Sequence, residues 1–283
     1  MNIAKRALFG AIYVALIVAS LLLWNSSKIL FLILFSCFVV LGMLEASRLF
    51  NHDGKHLPKA ITVIDAAGGV AMFLSLFIYH EVPTSHPLFL TLVPIYLLLR
   101  LTFQLYQPTR DAIADVRQSL SSMLYVALPL SLINSLAANF SPQVVLCMFI
   151  FLWLYDTGAF LVGCAIGKHR LFERISPKKS WEGVVGGTVA VVAAAIAIAR
   201  VDFIGNALNP NNVGIDSWIA MGLVVVVAGT LGDLFESLLK RTAGVKDSGN
   251  LIPGHGGILD RIDSLLFAAP AVMVLLEVVA SIQ

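Results

Sequence analysis

The side chains that could do chemistry are concentrated in residues 233–263, in a chain of which only 13% of residues are charged. A helix through the start of this interval places Asp233, Ser237 and Lys240 on one face, because they are four and then three residues apart. A carboxylate in so apolar a stretch must be paired, protonated or bound to a cation. The spacing therefore marks Asp233 as a functional candidate.

A second acidic pair, Asp260 and Asp263, follows at the start of the next apolar segment. Two carboxylates from separate segments, without clustered His or Cys, favour Mg²⁺ over zinc. Lysines and arginines would be odd neighbours for a metal alone, but a phosphate ligand can bridge a metal and bind cations at once. The polar side chains expected to contact such a ligand are Ser237, Lys240, Arg241, Lys246, Asp247 and Arg261.

A glycine-rich segment, residues 254–257, lies between the cations and the second acidic pair. Gly256 and Gly257 could present backbone N–H groups to phosphoryl oxygens, because no side chain stands in the way. His255 could protonate a leaving phosphate, or it could orient a phosphate or another side chain. We favour orientation.

A second polar loop carries five cations within the twelve residues from Lys168 to Lys179. Such a run is usually a solvated loop, but Lys178 and Lys179 are candidates for phosphate contacts because both loops emerge on the same predicted face. Ser180 or Ser176 could cap the helix that follows, and Ser180 is a further substrate-binding candidate. Asp156 lies within the apolar run before this loop, and it is either a functional residue or a helix-packing residue.

Blocks of about twenty apolar residues position these side chains. The chain is 58% hydrophobic with a mean hydropathy of +0.88, and a helix of about 20 residues crosses a hydrocarbon core about 30 Å thick. We predict an all-α, polytopic integral membrane protein with about nine transmembrane helices. The predicted spans are residues 7–24, 29–46, 61–79, 88–105, 120–138, 144–166, 184–201, 218–239 and 265–282.

Lysines and arginines predict the orientation. Fifteen of the 19 lie in or near the connections after even-numbered spans, with Arg100 snorkelling to the same face, so these connections are expected in the cytoplasm. Lys5 and Arg6 fall on the opposite side in this scheme. Residues 107–118 are expected to be a solvated loop. Asp65 and the pair of Glu45 with Arg48 are expected in interfacial ion pairs, with a functional role as the alternative because an acid inside a span is costly.

The interval from Ser237 to Asp263 is similar to the signature of the phosphatidate cytidylyltransferase (CDP-diacylglycerol synthase) family. Segments 156–159, 176–180 and 182–183 also resemble that family, so the resemblance covers residues 156–263. The matching residues of the signature are Ser237, Leu239, Lys240, Arg241, Lys246, Asp247, Gly249, Ile252, Pro253, His255, Gly256, Gly257, Ile258, Asp260, Arg261, Ile262 and Asp263.

The resemblance implies that CMP is transferred from CTP to phosphatidate, giving CDP-diacylglycerol and pyrophosphate in phospholipid biosynthesis. It also implies a Mg²⁺ centre on Asp233 and Asp260, with a monovalent ion such as K⁺ beside it, and a homodimer. The catalytic residues expected are Asp233, Lys240, His255, Asp260 and Asp263.

The expected partners are CTP, phosphatidate and the lipid bilayer, with no nucleic acid. For a bacterial chain we expect the inner membrane, with the active site on the cytoplasmic face. We expect residues 1–138 to serve packing, dimerisation or lipid entry, and residues 139–283 to be the catalytic region. The rival classes are a transporter and another membrane phosphotransferase. A transporter would spread its charges near the bilayer midplane, with broken helices in both halves, whereas this chain concentrates them at one face and in one half.

Overall fold

The computed structural model describes residues 3–50, 57–82, 88–108, 111–201, 214–251 and 256–282. Most of these residues are helical. The helices are α1 (Ile3–Leu22), α2 (Ile29–Phe50), α3 (Lys59–Glu81), α4 (Leu88–Leu105), α5 (Ala112–Asn139), α6 (Pro142–Ile166), α7 (Trp181–Ile198), α8 (Ile215–Thr242) and α9 (Leu259–Ile282).

Seven helices of the described chain, α2, α3 and α5 to α9, are long and apolar enough to cross a membrane. The apolar parts of α1 and α4 are shorter, Ala7–Leu22 and Thr91–Leu105. The predicted helical, multi-pass membrane architecture is therefore confirmed in its general form. The total of nine membrane crossings stays a prediction.

Helix α5 begins inside the segment that was predicted to be a solvated loop. Asp111 caps it, since its carboxylate accepts a hydrogen bond from the Ala114 N–H at 2.9 Å. Gln118 and Ser119 are buried, and a π-helical turn, Met123–Ala127, interrupts the helix further on. The loop prediction was wrong from Ala112 onward because these polar side chains find partners inside the protein instead of in solvent.

The cation-rich loop forms a β-hairpin, which the all-α prediction missed. Strand β1 (Arg170–Phe172) pairs antiparallel with β2 (Ser176–Ser180). Glu182, in the first turn of α7, accepts from the His169 N–H and lies 2.6 Å from His169 Nδ1. Ser180 caps α7 as predicted, accepting from the Gly183 N–H at 3.2 Å. These bonds fix the strand that carries Lys178 and Lys179.

The chain divides into two compact units. Unit 1 comprises Met1–Ser135 and Leu239–Ile262, and unit 2 comprises Leu136–Leu238 and Asp263–Gln283. The predicted functional division at residue 138 stays a prediction.

Unit 1 contains a buried polar network among α3, α4 and α5. Arg100 is fully buried, and it donates to Ser119 Oγ at 2.9 Å and to Gln104 Oε1 at 2.7 Å. Asp65 lies 3.5 Å from Arg100 Nε and accepts from the Tyr96 hydroxyl. Arg100 was predicted to snorkel to the surface, and that was wrong because its side chain is fully buried and pairs through Nε and Nη1 with groups inside the protein. Asp65 pairs with this buried arginine and not at an interface.

Unit 2 brings helices together at glycines. A Cβ on Gly158 of α6 would lie 3.1 Å from Gly187 Cα of α7, and one on Gly232 of α8 would lie 2.6 Å from the Asp263 carbonyl oxygen of α9. Small residues allow this close backbone approach. The contact at Gly232 fixes the position of the next residue, Asp233, relative to Asp263.

Candidate active site

In unit 1, Asp260 is held by four donors from three segments. Lys240 Nζ lies 2.7 Å from Oδ1. Oδ2 accepts from the Ser248 N–H at 3.0 Å, the Ser248 hydroxyl at 2.9 Å and the Gly257 N–H at 2.7 Å. We call Lys240, Ser248, Gly257 and Asp260 the Asp260 cluster. Its carboxylate binds a cationic group on one oxygen and neutral donors on the other.

Gly256 and Gly257, just before α9, are in close contact with the Asp260 carboxylate. Gly256 has a φ of +81°, a conformation that favours glycine, and a Cβ there would collide with Asp260 Oδ2. The Gly257 N–H is already bonded to Asp260. The prediction that Gly256 and Gly257 bind phosphate stays a prediction, but one of the N–H groups it relies on has an internal partner. His255 lies outside the described residues.

In unit 2, Asp233 pairs with a lysine from the hairpin. Lys179 Nζ lies 2.6 Å from Asp233 Oδ2, and the Ser237 hydroxyl donates to Oδ1 at 3.3 Å. We call Lys179, Asp233 and Ser237 the Asp233 cluster. The side chains of Lys179 and Asp233 are 26% and 31% exposed, so solvent reaches this pair. The structure thus joins a predicted phosphate-binding lysine to a predicted metal-binding aspartate.

Two further acids of unit 2 adjoin Asp233. Glu236 is fully buried, and Asp263 shares a hydrogen bond with it and interacts electrostatically with Asp233. Sequence spacing placed Glu236 three residues after Asp233 but did not select it as a site residue. Within the described ranges, no group of three or more His, Cys, Asp or Glu side chains is arranged so that it could hold a metal ion.

The remaining predicted site residues differ in exposure. Ser180 is buried, and its hydroxyl is the α7 cap. Asp156 is exposed on α6, two residues before the packing contact at Gly158. The predicted ligand-binding side chains on the exposed surface are Lys178, Arg241, Lys246, Asp247 and Arg261.

Sequence patterns missed Glu45 and Ser248. Glu45 was assigned to an interfacial ion pair with Arg48, but the structure buries its carboxylate against Ser248 and the start of α9. That ion-pair assignment was wrong because the two segments meet only in the folded chain. The signal that could have found Glu45 is an acid inside an apolar span.

The fold and the two clusters define a helical membrane protein that holds lysine–aspartate pairs at the ends of its helices. Comparison with known proteins gives the family. The sequence model of the "Cytidylyltransferase family" matches residues 4–279. The chain belongs to the cytidylyltransferase family, and the resemblance noted in its signature is confirmed.

Several bacterial relatives are named phosphatidate cytidylyltransferase. The protein from Staphylococcus aureus (strain COL) is 32% identical over 240 residues, covering 84% of this chain and 87% of that protein. The Thermotoga maritima protein is 36% identical over 161 residues, covering 57% and 59%. The Haemophilus influenzae protein is 47% identical over 126 residues, covering 44% and 43%.

Proposed function

We propose that this chain transfers CMP from CTP to phosphatidate, forming CDP-diacylglycerol and releasing pyrophosphate. The observation that carries the proposal is the Asp260 cluster, where an acid suited to a metal and a cation suited to a phosphate lie 2.7 Å apart. The family match and the names of the relatives support the same reaction.

The reaction needs chiefly alignment and charge neutralisation. A phosphate monoester has a second pKa of about 6, so the attacking oxygen of phosphatidate is largely deprotonated at neutral pH without a protein base. It forms a bond to the α-phosphorus of CTP, and the bond from that phosphorus to the bridging oxygen of the β-phosphate breaks. Positioned cations then stabilise the charge that develops on the phosphoryl oxygens.

The donor set fits a magnesium ion. Asp233 and Asp260 each already hold a lysine ammonium at 2.6–2.7 Å, so each presents a carboxylate oxygen to a cation. Mg²⁺ is commonly bound by one or two carboxylates together with substrate phosphates. We propose these two acids as its ligands, and the ion would neutralise charge on the nucleotide phosphates. A monovalent ion beside it stays part of the proposal.

The lysines supply the charge that the substrates need. Lys179 and Lys240 pair with the aspartates here, and in the proposed reaction they contact phosphate oxygens, to which a lysine binds as a point charge. Arg241, Lys246 and Arg261 are exposed nearby in sequence and are proposed to contact the triphosphate or the lipid phosphate. Asp263, which interacts electrostatically with Asp233, is proposed as a further catalytic residue.

The setting of the reaction is also proposed. The excess of lysine and arginine in the even-numbered connections supports an active site on the cytoplasmic face of the inner membrane. We further propose that the enzyme works as a homodimer in the bilayer.

The direct test is a transfer assay with purified protein in detergent. Radiolabelled CTP and phosphatidate should give a label that extracts into organic solvent, and labelled GTP or dATP should not. Omitting phosphatidate is the control. A folded protein that moves no label into the lipid fraction in the presence of Mg²⁺ would contradict the proposed function.

A further inference from the structure

Glu45, on α2, joins its carboxylate to the start of α9, more than two hundred residues later in the chain. The side chain is only 5% exposed. One oxygen, Oε1, accepts from the Ile258 N–H at 3.2 Å, and Oε2 accepts from the Leu259 N–H at 2.8 Å and from the Ser248 hydroxyl at 3.0 Å. All of these residues belong to unit 1.

The Glu45 carboxylate accepts from N–H groups at the start of α9, as the side chain of a capping residue does within one segment. The first N–H groups of a helix have no partner inside the helix, and the helix dipole favours negative charge at this end. Asp260 is the second residue of α9. Holding the N–H groups of Ile258 and Leu259 therefore fixes the backbone from which Asp260 projects.

Ser248 connects the two acids directly. Its hydroxyl lies 3.0 Å from Glu45 Oε2 and 2.9 Å from Asp260 Oδ2. A serine hydroxyl has one hydrogen, so it donates to only one of them at a time. When the Ser248 hydroxyl donates to Asp260, it does not donate to Glu45, so the hydrogen bonding of the two acids is coupled through Ser248.

The glycines of the loop are explained by the same carboxylate. A Cβ on Gly249 or on Gly257 would collide with Glu45. Gly249 and Gly257 therefore lie against Glu45, while Gly256 is in close contact with Asp260. Of these two acids, only Asp260 belongs to the family signature described above.

We propose that Glu45 is a positioning residue for cytidylyl transfer, which holds the N–H groups of Ile258 and Leu259 so that Asp260 presents Oδ1 to cations. This inference rests on the proposed function. Glu45 accepts hydrogen bonds from the N–H groups of Ile258 and Leu259 and from the Ser248 hydroxyl. None of these three donors belongs to the predicted catalytic or substrate-binding residues. Its effect on the reaction passes through Asp260.

The test is Glu45→Gln, which keeps the shape of the side chain but replaces one acceptor oxygen with an NH₂ group. That group cannot accept from a backbone N–H. We expect hydrogen exchange of the Ile258 or Leu259 amide to become about tenfold faster, the effect of losing one hydrogen bond to a charged group. We also expect kcat to fall by about the same factor and the Mg²⁺ concentration for half-maximal rate to rise, with the KM for CTP little changed. Glu45→Asp, which keeps both acceptors, should recover part of the rate.

The matched control is another buried acid of unit 1. Asp65→Asn changes an acid whose partners are Tyr96 and Arg100, and Tyr96→Phe is the milder variant if Asp65→Asn does not fold. Below their unfolding temperatures, these controls should leave the Mg²⁺ requirement and the exchange of residues 258–259 unchanged.

Two results would overturn the positioning role. The first is that Glu45→Gln has the kcat and the Mg²⁺ dependence of the wild type. The second is that kcat and the Mg²⁺ dependence change in Glu45→Gln but change equally in the control variants. If wild-type protein transfers no cytidylyl group, the proposed function fails. The hydrogen-exchange measurement tests the positioning role independently of activity. If the Ile258 and Leu259 amides exchange at the same rate in Glu45→Gln as in the wild type, Glu45 does not hold them.

Discussion

Asp260→Asn removes the charge that pairs with Lys240 without changing the size of the side chain. The pair is nearly buried, with side-chain exposures of 9% for Asp260 and 14% for Lys240. Breaking a buried ion pair by removing one of its two charges costs about 3–5 kcal/mol. Asparagine can keep its oxygen toward the donors on Ser248 and Gly257, so we expect the lower end, about 3 kcal/mol of unfolding free energy.

The effect on activity should be larger than the effect on folding. Removing one preorganised electrostatic group from an active site lowers kcat by about 10²–10³, and we expect a loss of at least about 100-fold in the transfer of label from CTP to lipid. The double variant Asp260→Asn/Lys240→Met separates the two effects. It removes both charges of the pair, so it should recover much of the stability while staying inactive.

The measurements are thermal or denaturant unfolding in detergent and the lipid-extraction assay. Wild-type activity in Asp260→Asn would refute the assignment of Asp260 to the reaction. A double variant no more stable than Asp260→Asn alone would refute the argument from the buried ion pair.

Three further outcomes are expected. Asp233→Asn should abolish transfer but lower the unfolding free energy by less than about 1 kcal/mol, because its ion pair is partly exposed; a stable and fully active variant would contradict this. Gly257→Ala should destabilise the protein by about 1–3 kcal/mol, because its Cβ meets the Glu45 carboxylate, whereas Gly214→Ala, with nothing within 4 Å, should unfold like the wild type. Lys246→Cys, at an exposed position, should react with a membrane-impermeant thiol reagent only when the reagent can reach the cytoplasmic face. Labelling from outside intact cells would reverse the predicted orientation.

The helix positions could be read largely from the sequence because the hydrophobic signal is local. A block of apolar residues long enough for a bilayer predicts a helix wherever it occurs, and the predicted span at 144–166 differs from α6 by two residues. The family could also be recognised from the sequence, since its signature lies within one short interval. Polar segments carried no such signal, which is why the start of α5 and the β-hairpin were missed.

The residue types and spacing of positions 233–263 predicted the candidate site, and the apolar blocks around them determined a helical membrane protein. Only the tertiary structure decided which groups those acids meet. Lys179 reaches Asp233 from a hairpin, and Glu45 reaches the N–H of Leu259 across 214 positions. Such contacts depend on how helices pack in space, and packing between distant segments leaves no periodicity or spacing in the chain for a single sequence to show.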